Sequence, residues 1–178
     1  MLRGSRFIML SICVLVLAAV GTCYTVAAQT RTFTSAEGDF ILELPSPTWR
    51  AIAQPDSVHQ HTEFINGNER NEGYLRIRKE VVDAGTSPSD LARRDQDQKL
   101  RYLPGYVEGK EEERFAGHLN GITTSYEYSN GGKLMAGRIY YLQADNRTIY
   151  TLQFTGARDK LELIRNQTDY IARSFHVK

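Results

Sequence analysis

Two histidines and a carboxylate stand close together in the first third of the chain, in the order His59, His61 and Glu63. Side chains two residues apart on a β-strand point to the same face of a sheet, so these three would line up on one side of a strand. Imidazole nitrogens and carboxylate oxygens are ligands of zinc and other divalent cations. The spacing therefore raises a divalent-metal site on His59, His61 and Glu63 as a hypothesis.

The competing interpretation is that His59 and His61 are polar residues on the solvent side of an exposed strand. A metal site needs a geometry that one short cluster rarely provides, and a further ligand would have to come from elsewhere. The other two histidines are His118 and, near the C terminus, His176. The sequence indicates no cofactor other than this divalent metal.

Motifs of nucleophilic catalysis are missing from the sequence. Both cysteines, Cys13 and Cys23, lie in the first 30 residues, and no Gly-x-Ser-x-Gly elbow occurs. The segment Ser129-Asn130-Gly131-Gly132 is typical of a turn between strands and lacks the following helix of a phosphate loop. The sequence therefore favours a binding protein, with a hydrolase whose site assembles from distant residues as the alternative.

A group of tyrosines falls on neighbouring strands predicted in the second half of the chain. Aromatic side chains are frequent at interfaces, so those that point away from a covering helix would form a binding platform. The favoured interpretation is that they pair across strands under a helix. The group consists of Tyr126, Tyr128, Tyr140, Tyr141 and Tyr150.

The N-terminal segment has the three parts of a secretory signal peptide. Arg3 and Arg6 precede an uncharged, mostly apolar run over residues 7–20, and Val26-Ala27-Ala28 offers a small-residue cleavage site before Gln29. The prediction is a leader over residues 1–28 and an extracytoplasmic destination, periplasmic or secreted. Two alternatives also place the rest of the chain on the extracytoplasmic side of the membrane. They are an uncleaved anchor over residues 7–28 and lipid attachment at Cys23.

Removal of the leader changes the chemistry of the remaining chain. Both cysteines leave with it, so the mature chain can form no disulfide. Two of the 22 basic residues also leave, so that 20 basic residues remain against 21 acidic ones. This near neutrality argues against a nucleic-acid partner, and contact with a membrane is expected only through an uncleaved or lipidated N terminus.

The clearest secondary-structure pattern is near the C terminus. Two runs of β-branched and aromatic residues, 135–142 and 148–154, flank a polar turn and predict a hairpin. Apolar residues then follow at helical spacing, at Leu161, Ile164, Ile171 and Phe175. This pattern predicts one amphipathic terminal helix. Each element would hide the apolar side of the other.

The rest of the chain predicts further strands and one helix. Ser87-Pro88-Ser89-Asp90 carries a capping signal, so a mostly polar surface helix is expected from Pro88 to about Tyr102. Trp49, after the second strand, is expected to fill the core. The sequence predicts one α+β domain over residues 31–178, with about eight mostly antiparallel strands, a mid-chain helix and a C-terminal helix. Its further strands are expected at 32–34, 40–44, 57–65, 74–82, 106–115 and 122–128, the fifth of these as a charged edge strand.

Three segments resemble the PsbP-like group, whose wider fold includes the DcrB type. They are Phe40-x-Leu42-x-Leu44-Pro45-Ser46 followed by Trp49, the hairpin from Arg138 to Phe154, and the ending Ile171-Ala172-Arg173-Ser174-Phe175-His176-Val177. The resemblance implies an antiparallel sheet between helices. It also implies a non-enzymatic binding or scaffolding role at the cell envelope, with a protein partner that the sequence does not identify. These residues are packing residues, so they indicate fold more than function.

Overall fold

The computed structural model describes residues 30–37, 39–55, 61–109 and 113–178. The predicted leader and His59 lie outside these ranges. No helix in the described part of the chain is both long enough and apolar enough to cross a membrane. The elements in chain order are β1 Arg31–Thr34, β2 Phe40–Leu44, β3 Trp49–Ala53, β4 His61–Asn66, β5 Tyr74–Val81, α1 Pro88–Gln98, β6 Val107–Glu108, β7 Glu113–Ala116, β8 Asn120–Asn130, β9 Lys133–Asp145, β10 Thr148–Ala157, α2 Arg158–Leu163, α3 Arg165–Ser174 and β11 His176–Val177.

Eight of the strands form one antiparallel sheet in the order β3-β4-β5-β10-β9-β8-β6, with β7 also paired to β8. The strands β1, β2 and β11 form a second, smaller antiparallel sheet. The predicted α+β class, with an antiparallel sheet of about eight strands between helices, is confirmed. Strands β9 and β10 form the predicted hairpin, and Leu152 of β10 lies opposite Tyr140 of β9.

The face of the large sheet that packs against α2, α3 and the small sheet is called here the α3 face. Leu152 and Phe154 meet Ile171 and Phe175 in its core, and all four side chains are fully buried. The Phe175 ring packs with its centroid 5.0 Å from the ring centroid of Phe40 on the small sheet. The apolar stripe predicted for the C-terminal segment therefore closes the core of this face.

The opposite face, called the α1 face, packs against helix α1. Ser87 caps the helix as predicted: its hydroxyl accepts from the backbone N–H of Asp90, whose carboxylate accepts from the Ser87 N–H. Leu91 and Leu100 pack on the sheet in a smaller core, and most of the remaining α1 side chains are polar. The α-helix ends at Gln98, before the predicted end at about Tyr102, and a separate 3₁₀ turn covers Leu100–Tyr102.

Several predicted boundaries were wrong. The terminal helix is two helices that meet at Ile164, whose backbone φ of −101° and ψ of 11° interrupt the helical path. The strand predicted over 106–115 is two short strands, β6 and β7, and residues 110–112 lie outside the described ranges. Trp49 fills the core as predicted, but it also opens a strand, β3, that was not predicted.

Candidate functional site: a cleft beside helix α2

A cleft of about 1130 Å³ opens on the α3 face, between helix α2, strand β6 and the part of the β8–β9 hairpin nearest its turn. Gly131 and Gly132 make that turn with positive φ angles of 57° and 78°, a backbone conformation that favours glycine. The cleft is at or above the usual size of a small-molecule pocket. Its shape is that of a surface groove on the sheet.

The cleft exists because the residues that face α2 at this end of the hairpin are small or polar. Thr123 and Ser125 of β8 face it together with Ala136 of β9. Further along β9, the same face carries Tyr140 and Leu142, which are fully buried and fill the space under α3. The sheet therefore lacks the large apolar side chains that would bring the hairpin against α2.

The charges around the cleft are balanced in number, and two of them form an ion pair across it. Arg158 Nε at the start of α2 lies 3.2 Å from Glu127 Oε1 of β8, so this ion pair links the helix to the hairpin. Both side chains are well exposed, and exposed pairs contribute about 0–1 kcal/mol, so an incoming group would displace this pair at little cost. The lining has as many basic as acidic residues, namely Lys133, Arg138, Arg158 and Arg165 against Glu108, Glu127, Asp159 and Glu162.

The inner end of the cleft is held by a polar network between β9 and α3. Arg138 Nη2 donates to Asp169 Oδ1 at 3.0 Å, and the Tyr140 hydroxyl donates to the same oxygen. The Tyr140 hydroxyl also lies 3.1 Å from Thr168 Oγ1. Burial, and next the hydrogen bond to Asp169, raise the pKa of Tyr140, so that the phenol stays protonated and keeps donating.

Two polar groups of cleft-lining residues are buried and have no hydrogen-bond partner within the described ranges. They are Thr123 Oγ1 and Arg138 Nε. A buried polar group without a partner costs about 1–3 kcal/mol, so such groups are rare in folded proteins. These two groups at the floor of the cleft are therefore expected to lower the stability of the fold.

Two large apolar side chains at the rim are exposed to solvent. Val107 of β6 is 58% exposed and Leu134 of β9 is 45% exposed, and both line the cleft. Exposed apolar residues beside a groove are typical of surfaces that another molecule covers. The cleft thus combines an apolar rim, a polar floor and a neutral charge balance.

Two of the predicted metal ligands, His61 and Glu63, lie elsewhere, on the α1 side of the large sheet. His61 Nε2 lies 2.8 Å from Glu63 Oε1, as the same-face spacing predicted. The Glu63 carboxylate also contacts Arg70 Nη2 at 3.0 Å and Arg76 Nη2 at 3.2 Å. Its oxygens are therefore held by guanidinium groups, which a metal ion would have to displace.

The titration of Glu63 follows from these contacts. Burial opposes its ionisation, but hydrogen bonds with Tyr74 and His61 and the charges of Arg70 and Arg76 outweigh burial, so the pKa of Glu63 is lowered. Burial, and then the hydrogen bond to Glu63, raise the pKa of Tyr74 to about 12. This network is strongest with a charged carboxylate and a neutral phenol.

Within residues 30–37, 39–55, 61–109 and 113–178, no group of three or more His, Cys, Asp and Glu side chains is arranged to hold a metal. His118 lies beside His176, with ring centroids 5.2 Å apart. His59 falls outside the described residues. Metal binding through His59, His61 and Glu63 stays a prediction.

The five tyrosines do not form one platform. Tyr140 and Tyr150 lie in the core of the α3 face, while Tyr126 and Tyr141 lie in the core of the α1 face. Only Tyr128 of the five is partly exposed, and its ring stacks on Tyr126 at 5.9 Å between centroids. The expected burial is therefore confirmed for four of the five, whereas Tyr126 and Tyr128 stack within β8 and not across strands.

The comparison with known proteins gives matches in structure alone. No family profile matches the chain, and no curated protein matches its sequence. LpqN of Mycobacterium tuberculosis, described as involved in cell envelope biogenesis, superimposes with a TM-score of 0.56 and 13% identity. The superposition covers 84% of this chain and 91% of LpqN.

Two further solved structures have the same architecture. The cyanobacterial PsbP of Synechocystis sp. PCC 6803 matches with a TM-score of 0.58 and 15% identity, over 89% of this chain and 99% of that one. The Saccharomyces cerevisiae Ran-binding protein Mog1p matches with a TM-score of 0.60 and 10% identity, over 84% and 96%. At these identities the likeness concerns the fold, and it confirms the resemblance to the PsbP-like group at that level.

Proposed function

We propose that this chain, which has the PsbP-like fold, is an exported, non-enzymatic binding domain that holds a segment of a protein partner in the cleft beside α2. The observation that carries the proposal is the cleft itself, since its volume exceeds that of most small-molecule pockets and its rim exposes Val107 and Leu134. A chain segment with a few apolar side chains would cover both residues. The fold neighbours, which include an envelope-biogenesis protein and a Ran-binding protein, are compatible with a binding role.

The charge balance of the cleft favours a partner segment of mixed polarity. Equal numbers of acidic and basic side chains line the cleft, so its net charge attracts neither a polyanion nor a polycation. The exposed pair Arg158 and Glu127 can exchange its mutual contact for contacts with the partner at small cost. The proposed partner segment therefore carries both apolar anchors and charges of both signs.

Photo-crosslinking tests the location of the partner. A photoreactive phenylalanine analogue at Val107, in cells that express the full reading frame, should give an adduct with an envelope protein. The same analogue at Ile52 is the control, because Ile52 is also exposed, at 41%, but lies on β3 at the opposite end of the sheet. Equal adducts from both positions, or adducts from Ile52 alone, would contradict the proposed site.

Export is tested separately at the N terminus. Mass spectrometry of the protein recovered from the envelope or the medium should give a chain that begins at Gln29. A mass that includes residues 1–28 would indicate an anchor, and a lipid mass on Cys23 would indicate a lipoprotein. Recovery of the full-length chain from the cytosol alone would contradict the proposed location.

A further inference from the structure

A second, smaller pocket lies on the α1 face, and the proposed protein partner makes no use of it. Its volume is about 310 Å³, within the range of small-molecule sites. Strand β5 contributes Arg76 and Arg78 to it, and the C-terminal end of helix α1 contributes Asp95 together with Lys99 just beyond it. Three cationic side chains therefore meet in one pocket, and Asp95 is the one carboxylate among its lining residues.

The contacts of Asp95 leave positive charge on the open side of the pocket. Lys99 Nζ lies 2.6 Å from Asp95 Oδ1, and Arg78 Nη2 lies 3.5 Å from Asp95 Oδ2. The Asp95 side chain is 3% exposed, whereas Lys99 is 48% and Arg78 is 27% exposed. The carboxylate is thus under the cations, and a ligand that enters the pocket meets the cations first.

The neighbouring ion pairs do not neutralise this charge. Arg78 also contacts Glu80 at 3.5 Å, and Arg76 shares Glu63 with Arg70 at 3.2 and 3.0 Å. When all of these contacts are included, four cationic groups share three carboxylates. One positive charge remains over this network. Arg70 does not line the pocket, but it shares Glu63 with Arg76, so Arg76 is only partly neutralised on the pocket side. Coulomb attraction in a partly buried pocket is stronger than in bulk water. The members are Arg70, Arg76, Arg78 and Lys99 against Glu63, Glu80 and Asp95.

The other walls limit the kind of anion. Leu100, Leu103 and Ile139 make part of the pocket apolar, and the partly exposed Tyr128 lies at its side. A doubly charged phosphate would bring two negative charges close to Asp95 against a surplus of one positive charge. A carboxylate carries one negative charge and matches the planar fork of a guanidinium group.

We propose that this pocket binds a single carboxylate group, carried by a small organic acid or by an acidic side chain of a peptide. Arg76 and Arg78 supply guanidinium donors, Lys99 supplies an ammonium group, and the apolar wall contacts the carbon chain next to the carboxylate. The site is independent of the cleft beside α2, because it lies on the opposite face of the sheet.

Titration of the ¹⁵N-labelled chain, expressed from its full reading frame, tests the site by NMR. N-acetylglycine and the peptide acetyl-Gly-Glu-Gly-amide represent the two carboxylate sources, and N-acetylglycinamide is the uncharged control. At constant ionic strength, either carboxylate should shift the side-chain Nε–H signals of Arg76 and Arg78 in a saturable way, and the neutral amide should not. The signals are assigned from their loss in Arg76→Lys and Arg78→Lys. The compound that binds more tightly identifies whether a small acid or a peptide side chain supplies the carboxylate.

Substitutions then test the cations. Lys99→Gln and Arg78→Gln should each weaken binding at least fivefold, whereas Arg101→Gln should leave it unchanged because Arg101 pairs with Asp97 outside the pocket. If Arg78→Gln does not fold, the well-exposed Lys99→Gln still decides the outcome. Equal shifts with N-acetylglycinamide, tighter binding of inorganic phosphate, or unchanged affinity in Lys99→Gln would overturn the proposal.

Discussion

The two faces of the large sheet are stabilised by different kinds of contact. The α3 face is closed by a continuous apolar core that includes Leu152, Ile171 and Phe175, each fully buried. The α1 face has a smaller core beside two charged networks, centred on Glu63 and Asp95. Apolar burial depends little on pH or salt, whereas ion pairs depend on both. Most of the stability should therefore come from the α3 face, and most of the pH dependence from the α1 face.

The α3 face is not apolar along its whole length. At one end the apolar core gives way to the cleft beside α2, where Thr123 and Ser125 replace large side chains. The same sheet face thus provides the main core at one place and the proposed binding site at another. Substitutions can separate these two roles.

The largest effect is expected in the apolar core. Leu152→Ala should lower the free energy of unfolding by about 2–5 kcal/mol, because it leaves a cavity among fully buried side chains. Leu163→Ala is the matched control, since Leu163 is 79% exposed and its truncation should change stability by less than about 0.5 kcal/mol. Urea denaturation of both variants measures the difference, and similar losses would refute the assignment of the core.

The next largest effect concerns the packing of Tyr126 on the α1 face. A Cβ atom at Gly137 would lie 2.1 Å from Tyr126 Cζ, so the ring rests directly on the glycine. Gly137→Ala should force the ring to move, break its hydrogen bond from Gln153 Nε2 and destabilise the protein by about 1–3 kcal/mol.

A double-mutant cycle checks this cause. In a Tyr126→Ala background, thermal unfolding should show almost no further cost of Gly137→Ala, because the clashing ring is gone. An undiminished cost there would place the effect in the backbone of β9.

A smaller and pH-dependent effect is expected at Glu63. The pKa of Glu63 is lowered in the fold from its ordinary value of 4.5, so its contribution is fully present above about pH 4.5 and is lost as the pH falls through the lower folded value. Glu63→Gln should cost about 1–2 kcal/mol at pH 7.

The measurement is urea unfolding of both proteins between pH 7 and pH 2.5. The stability difference between wild type and Glu63→Gln should shrink below pH 4.5. A constant difference over this range would show that Glu63 acts by packing and not by charge.

The smallest effect has the opposite sign. Thr123→Val replaces a buried hydroxyl that has no hydrogen-bond partner among the described residues by a methyl group of similar size. Stability should stay unchanged or rise by up to about 1 kcal/mol. A loss of more than about 1 kcal/mol in thermal unfolding would show that the hydroxyl has a stabilising partner, such as an ordered water.

The sequence predicted the parts of the fold with strong periodicity. The hairpin of β9 and β10 and the apolar stripe through Leu161 and Ile171 were visible because long alternation and helical spacing have few competing explanations. Strand β3 was missed, since Arg50 and Ile52 on this edge strand are exposed and show no alternation of apolar and polar residues. The helix break at Ile164 was missed because the apolar stripe continues across it.

The cleft could not be predicted from local pattern. Val107, Leu134 and Leu161 come together only after β6, β9 and α2 have packed, and none of them belongs to a chemical motif. One signal was present in the strands: Thr123 and Ser125 occupy positions where an inward-facing strand residue is usually large and apolar. The cation pocket was also missed, because the arginines of β5 alternate with apolar residues and look like the solvent side of a strand.

The most direct test of the central claim, that the cleft binds the partner while the apolar core holds the fold, is crosslinking from Val107 in a Leu134→Glu background. Leu134→Glu places an unpaired charge on the apolar rim without removing a buried contact, and Leu163→Glu on α2 is the control outside the cleft. We expect Leu134→Glu to abolish the adduct while its melting temperature stays within about 2 °C of wild type, and we expect Leu163→Glu to retain the adduct. An undiminished adduct in Leu134→Glu, with the fold intact, would show that the partner does not bind in the cleft.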